Sequence, residues 1–276
     1  MNTFSDNHAA IYEEPVDERI RKFLKLENYF LKINKHKEID TIYDSFAALN
    51  SLISLYQTMS RAEVKRELIR EIDFHKSRYI EYVKIDGSDK IKLNSIMEKQ
   101  SVILNTLHNL KANYLNALHV DELFQHCVKH YDTLSSELDY WITRDHAYRQ
   151  NQINLWLELI KPIENAVHFC LDILRKSSET REECAKNGMY IFKLDPEKKV
   201  RMLRVTMHSD NYFFPRISVG PQRATVSFMT LNDNNKFIQI KDDVTFVIDL
   251  CLSLIHISEP TRQAEISYAV VCLKKK

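Results

Sequence analysis

The chain has 276 residues, with Lys+Arg 39 against Asp+Glu 38 and a formal charge of +1. That length buries a core without disulfide or metal staples. The even charge balance excludes a polybasic nucleic-acid arm, so charge-driven binding must come from local clustering. A hydrophobic fraction of 44% with 28% charged residues is that of a globular chain, not a disordered one. The three glycines, Gly87, Gly188 and Gly220, are too few and too scattered for the glycine-rich loops that bring backbone against phosphates or dinucleotides. Cys127, Cys170, Cys184, Cys251 and Cys272 form no CxxC pair, so no zinc ribbon or thioredoxin-like motif is present, and their odd number fits a reducing cytosol. Met1 to Glu14 has no apolar signal-peptide core, and no run reaches the ~18–20 apolar residues of a membrane span. The expectation is a cytoplasmic protein.

Residues 1–14 are polar and acidic and are expected to form a flexible N-terminus. From Pro15 to Lys186 the apolar spacing is helical. Ile20, Phe23, Leu24 and Phe30-Leu31 mark a first helix, with Pro15 suited to its first turn. Ile42, Phe46, Leu49, Leu52 and Ile53 mark a second. Ser60 and Glu63 have the S-x-x-E spacing of a capping box, which predicts a third helix to Tyr82 with Val64, Leu68, Ile72 and Tyr79 inward. Asp86-Gly87-Ser88 reads as a turn. A fourth helix is expected from Asp89 to Leu110, with Ile96, Ile103, Leu107 and Leu110 as its stripe. Shorter helices follow at Asp121 to His130 and Ser136 to Ile142. The longest is expected over Asn151 to Cys184, kinked or restarted at Pro162.

Past Asn187-Gly188, read as a helix C-cap, the period changes to two. Leu203, Val205 and Met207 alternate with Arg204, Thr206 and His208; Val226 and Phe228 alternate with Thr225 and Ser227; Val244, Phe246, Ile248 and Leu250 continue the pattern. Asp195-Pro196, Gly220-Pro221 and Asn232 to Asn235 are turn signals between them. Short strands without intervening helices argue an antiparallel sheet. The fold class is therefore α+β: an N-terminal helical bundle over 15–186, then a small C-terminal antiparallel β domain over 187–251. The segment 252–276, containing SLIHISEPTRQAEISYAVVCLKKK, resembles translated sequencing-adapter read-through and is expected to be non-native.

No catalytic, metal or cofactor site emerges. His126 and His130 are four apart on a helix, but the third ligand and general base of a zinc-protease motif are missing. His168 and Cys170, two apart, face different sides of a helix, and Ser135-Ser136 and Ser177-Ser178 have no glycine elbow. Trp141 and Trp156 are expected to anchor the helical core. What remains is clustered positive charge. The third helix carries Lys65, Arg66 and Arg70, which also suit a salt-bridged solvent face. Arg204, Arg216 and Arg223 stand at polar positions of the strands, where guanidinium offers a fork for carboxylates.

Four separated blocks, in order, resemble the ZapD family. They are YEEPVDERIRKFLKLE (Tyr12 to Glu27), RAEVKRELIREID (Arg61 to Asp73), WLELIKPIENAVHFCLDILRKSSETREECAKNGMY (Trp156 to Tyr190) and MLRVTMHSDNYFFPRISVGPQRATVSFMTL (Met202 to Leu231). The likeness runs from Tyr12 to Cys251. KHYDTLSSELDYW (Lys129 to Trp141) is shorter than the family's segment there and lacks its glycine pair and F-D-L-P, and Ser227 stands where the family often has a second arginine. The resemblance implies a cytoplasmic homodimer at the mid-cell division ring, whose cationic groove takes the partly acidic C-terminal tail of FtsZ and so bundles FtsZ filaments. It implies no cofactor, no membrane, no nucleic acid and no enzymatic step. By match to the family's motifs Arg21, Lys25 and Arg223 are the tail contacts; the charge reading adds Arg204, Lys65, Arg66 and Arg70. Two alternatives stay open on the residues alone. One is an adaptor that binds another acidic peptide or nucleic acid through its basic faces. The other is an enzyme whose site is assembled from distant residues such as His126 or His130 with a carboxylate.

Overall fold

The computed structural model describes residues 9–61, 63–83, 90–111, 113–130, 135–209 and 211–253. They divide into two compact units, one of residues from Lys22 to Leu171, the other of residues up to Arg21 and from Asp172 onward. The first is helical and the second is antiparallel β, so the α+β class holds.

The helical unit is built from α1 (Glu18–His36), α2 (Ile42–Arg61), α3 (Val64–Val83), α4 (Lys90–Asn109), α5 (Asn116–Val120), α6 (Glu122–His130), α7 (Ser136–Ile142), α8 (His146–Glu158) and α9 (Lys161–Lys176). Phe23, Leu26, Phe30 and Ile33 form the buried stripe of α1, spaced three and four apart as a helix face requires. Leu31, one position off that stripe, is exposed. On α3 the inward face is Val64, Leu68, Ile72 and Tyr79, as expected. Trp141 and Trp156 are both fully buried with ring centroids 6.3 Å apart, and Phe124 stands 5.1 Å from Trp156. Each such side chain contributes roughly 1.5–3 kcal/mol through burial. The Trp156 indole N–H donates to Asp121 at 3.1 Å, so its polar atom is satisfied.

Several helix boundaries differ from those the pattern predicts. Ser60 is no N-cap: it lies inside α2, and its hydroxyl donates to the Tyr56 carbonyl one turn back. The true caps are Ser135, whose side chain accepts from the Leu138 N–H, and Asp145, which accepts from the Tyr148 N–H. Pro162 does start a fresh helix, at the first turn of α9. But α9 ends at Lys176, and residues 178–184 of the expected long helix belong to a strand, Ser178–Ala185. The turn expected at Asp86-Gly87-Ser88 lies outside the described residues.

One buried polar cluster ties α1 to α9. Glu164 accepts from Asn34 and Lys161, each at 2.9 Å, and His168 lies 3.4 Å from Glu27 and 3.8 Å from Glu164. Burial alone would raise the Glu164 carboxyl, but bonds from His168, Lys161 and Asn34 outweigh it and hold the group at about 2. Bonding to Glu164 and Glu27 pushes the His168 imidazolium up to about 9.

In the other unit the strands are β1 (Ala9–Pro15), β2 (Ser178–Ala185), β3 (Met189–Lys193), β4 (Val200–His208), β5 (Phe214–Val219), β6 (Arg223–Leu231), β7 (Phe237–Gln239) and β8 (Val244–Leu252). One sheet has the order β1-β4-β8-β2, the other β3-β6-β5 with β7 also on β6, and every pairing is antiparallel. Val205, Met207, Phe246 and Ile248 of the first sheet pack with Val226 and Phe228 of the second in one core, the arrangement of a β-sandwich. Phe228 and Phe246 meet at 5.2 Å across it.

Two elements read otherwise in sequence belong to this sandwich. Residues 9–14, expected to be flexible, pair along β4 from Ala9↔His208 to Glu14↔Leu203. Asn187-Gly188, read as a helix C-cap, is the two-residue turn between β2 of one sheet and β3 of the other, closed by the isolated bridge Lys186↔Met189. Both residues have positive φ, 49° and 69°, as a type I′ turn demands. The last strand reaches Leu252, and Ser253 donates its N–H to Lys199; residues 254–276, most of the segment expected to be non-native, lie outside the described residues.

Two outcomes check these assignments. A Cβ on Gly188 would stand 2.4 Å from the Ile240 carbonyl oxygen, on backbone that L residues disfavour. Gly188→Ala should therefore cost more than about 1 kcal/mol in urea unfolding, and an unchanged midpoint would refute the turn. His168, raised in the folded state, contributes stability that is complete below its ordinary value of 6.5 and lost as pH rises through about 9. The melting temperature should fall across that window, and His168→Gln should flatten the fall; an identical slope in the variant would remove His168 from it.

Candidate functional site

The sandwich sorts its cations by strand position. Side chains of a strand alternate between faces. In β6, Ala224, Val226 and Phe228 point into the core, so Arg223, Thr225 and Ser227 point outward. The same alternation in β3 turns Tyr190 and Phe192 inward and Met189, Ile191 and Lys193 outward. In β5 it turns Ile217 inward and Phe214, Arg216 and Ser218 outward.

Register then sets neighbours on the outer face. Lys193 lies directly opposite Arg223, and Arg216 directly opposite Ser227. Phe237 of β7, 57% exposed, meets Phe214 edge-on at 5.4 Å, and the Arg216 guanidinium lies 5.8 Å from the Phe237 ring centroid. Ile191, 55% exposed, adds an apolar side chain beside Thr225. Arg223, Arg216 and Lys193 have no ion-pair partner among the described residues, and no described outward strand residue of this sheet carries a carboxylate.

Arg204 is in the opposite situation. It projects from the other face of the first sheet, where Glu13, Arg204, Asp249 and Thr180 lie in register across four strands. Its guanidinium is 2.9 Å from Glu13 and 3.5 Å from Asp249, with the side chain 18% exposed. Arg175 clamps the same Glu13 with two bonds of 2.8 Å, and Thr180 donates to Asp249 at 2.5 Å. This row holds β1 to the sheet. Nearby, burial pushes the Cys251 thiol up to about 12, which keeps it neutral.

Arg21, 51% exposed, pairs with Glu14 at 3.2 Å and Glu18 at 3.3 Å and donates to the Pro15 carbonyl at 2.9 Å. In the helical unit Lys25 is exposed, 5.9 Å from the Tyr29 ring. Lys65 donates to the Leu110 carbonyl, and Arg66 pairs with Glu63. Arg70 is exposed with no ion-pair partner among the described residues. Lys193, Phe214 and Phe237 were missed in sequence; the alternating MYIFK run, which puts its lysine on the same side as the exposed Met189 and Ile191, is the signal that places the first outward. His126 lies 2.9 Å from Glu137 and 4.6 Å, ring to ring, from His130. Among the described residues no group of three or more His, Cys, Asp or Glu could hold a metal ion, and no helix is long and apolar enough to cross a membrane.

The chain is thus an α+β protein with a cationic, aromatic-edged sheet face. A family model described as "ZapD: Cell division protein" matches residues 24–227, and the chain belongs to that family. Among similar proteins, each called "Cell division protein ZapD", that of Methylococcus capsulatus is 25% identical over 252 residues, 89% of this chain and 99% of the relative. That of Idiomarina loihiensis is 24% identical over 258 residues, 90% and 99% of the two chains, and that of Escherichia coli 23% over 251 residues, 88% and 98%. A role in cell division follows.

The two kinds of arginine separate in stability. Arg204→Leu strips a cation from two mostly buried carboxylates and should destabilise the fold by about 1–3 kcal/mol. Arg223→Glu should leave stability within about 0.5 kcal/mol of the parent or raise it, since it ends a like-charge pairing with Lys193. Urea unfolding reads both, and equal losses would refute the distinction.

Proposed function

We propose that this chain is a non-enzymatic cell division factor that binds the C-terminal tail of FtsZ and, as a homodimer, cross-links FtsZ filaments into bundles at the division ring in the cytoplasm. The observation that carries the reading is the outward Arg223 beside Lys193, with no carboxylate on the described outward strand positions of their sheet. Like charges placed directly opposite across a ladder destabilise a sheet, and an acidic peptide relieves them. Arg21 and Lys25 are tail contacts by match to the family's motifs. Arg70 and Arg66 are further cations available on the helical unit. Arg204 and Lys65 enter in a supporting role, because their charges are engaged by Glu13, Asp249 and the Leu110 carbonyl.

The mechanism is association alone. Each exposed ion pair is worth roughly 0.2–1 kcal/mol and is screened by salt, so one tail on one site binds weakly. A dimer facing a polymer that repeats its tail on every subunit engages two at once, and effective concentrations near the millimolar range raise the apparent affinity by about 10²–10⁴.

Co-sedimentation with polymerised FtsZ tests this. The wild-type chain should pellet with FtsZ and leave the supernatant when FtsZ lacks its C-terminal tail, and Arg223→Glu should lose pelleting while remaining dimeric by light scattering. Undiminished bundling of tailless FtsZ would sink the reading.

A further inference from the structure

The outer face of the β3-β6-β5 sheet carries more than the Arg223 corner. Ser227 and Arg223 are four residues apart on β6, roughly 14 Å at ~3.4 Å per residue. Arg216 stands opposite Ser227 at one end of that span, and Lys193 opposite Arg223 at the other. The ends therefore differ: one holds two adjacent cations, the other a single guanidinium beside an aromatic ring. Between them lies a row of Ser218, Thr225 and Ile191, two hydroxyls and an exposed apolar side chain. Next to Arg216, Met229 is 8% exposed between the strands of Phe214 and Phe237, so the ring pair closes this end of the face.

We propose that Arg216 is a second anchor for the acidic peptide, so that this sheet face takes an extended segment bearing two carboxylates four residues apart with an apolar residue midway. The spacing follows from strand geometry. An extended ligand rises ~3.3 Å per residue and presents every second side chain to the same surface. Residues i and i+4 then reach the Arg216 and Arg223 ends, and i+2 falls on the Ile191 row. Arginine suits both ends because its planar fork binds carboxylate with two parallel bonds, and at Arg216 the guanidinium is poised beside the face of Phe237. The inference rests on the reading of Arg223 as a tail contact and adds to it the ligand's pattern.

Arg216 is exposed and bonded to no described side chain that a substitution would orphan, so its test separates binding from folding. A fluorescent peptide of the FtsZ C-terminal tail is titrated with the full chain, and melting temperature is followed in parallel. Arg216→Ser should weaken binding at least fivefold with the melting temperature unchanged. Adding Ser227→Arg to that variant should restore most of the affinity, because it returns a guanidinium to the same row one strand over. Full affinity in Arg216→Ser with loss in Arg223→Glu overturns the second anchor and leaves the tail reading intact. Full affinity in both variants removes this sheet face from the tail site and overturns the second anchor with it, whereas no binding of the peptide by the parent chain overturns the tail reading itself. A weakened Arg216→Ser that Ser227→Arg fails to rescue shows that Arg216 acts by something other than its charge on this row, and the proposal falls. Restoration accompanied by a fivefold loss when the ligand's two carboxylates are moved to adjacent positions supports the pattern.

Discussion

Everything presented to a partner by the β unit depends on the strict two-residue alternation of β6. This strand is the centre of its sheet, with β5 on one side and β3 and β7 on the other. Because Ala224, Val226 and Phe228 are fully buried, slipping the strand by one residue would drive Arg223 into the core and expose Phe228. The penalty for burying an unpaired guanidinium is far larger than any surface ion pair could return. Core packing thus aims the cations, and the aim needs no help from the cations themselves.

The same alternation, applied to the other sheet, produces the reverse outcome. Arg204 faces Glu13 and Asp249, so its charge is neutralised within the fold; Arg223 faces Lys193, so its charge is not. Two arginines that look alike in a strand pattern are separated by what stands across the ladder, one residue on each neighbouring strand. That is why composition, which balances cations and anions almost one for one, says little about binding. The balance is struck locally: carboxylates gather where strands and helices need tying, as in Glu13 with Arg175 and Arg204 and in Glu164 with Asn34 and Lys161, and are absent from the described outward strand positions around Arg223.

The helices were legible where apolar residues repeat at three and four and where a proline or a cap punctuates them: the α3 stripe, the tryptophan pair and the restart at Pro162 all follow from local rules. Legibility failed where a short-range signal has two meanings. Asn-Gly ends helices and turns hairpins, and the charged run before it, SETREECAK, hides its strand behind glutamates of low β propensity. β1 was invisible for a related reason. Its Glu13 and Glu14 look solvated until Arg175 and Arg204, distant in sequence, are brought against Glu13 and Arg21 turns back onto Glu14. Ser60 fits a capping box in letters, yet its hydroxyl satisfies the carbonyl behind it and α2 runs on. Of the candidate site, alternation alone places Arg223 outward; that Lys193 stands opposite it and Arg216 at the far end of the same face are register facts, and register is set by turns and packing that no single strand records.

A face kept cationic in this way is destabilised relative to one with mixed charges, by a few tenths of a kcal/mol to about 1 kcal/mol for a directly opposed like pair. A sandwich that buries Phe228, Phe246, Val205 and Ile248 in one core tolerates such a cost readily, whereas an isolated hairpin would not. The arrangement also favours weak, reversible contacts over tight ones, because cations exposed to water lose much of their attraction to screening. On the proposed reading, low affinity at each contact combined with repetition along a polymer is physically consistent: dissociation of one contact is fast, while dissociation of many together is slow.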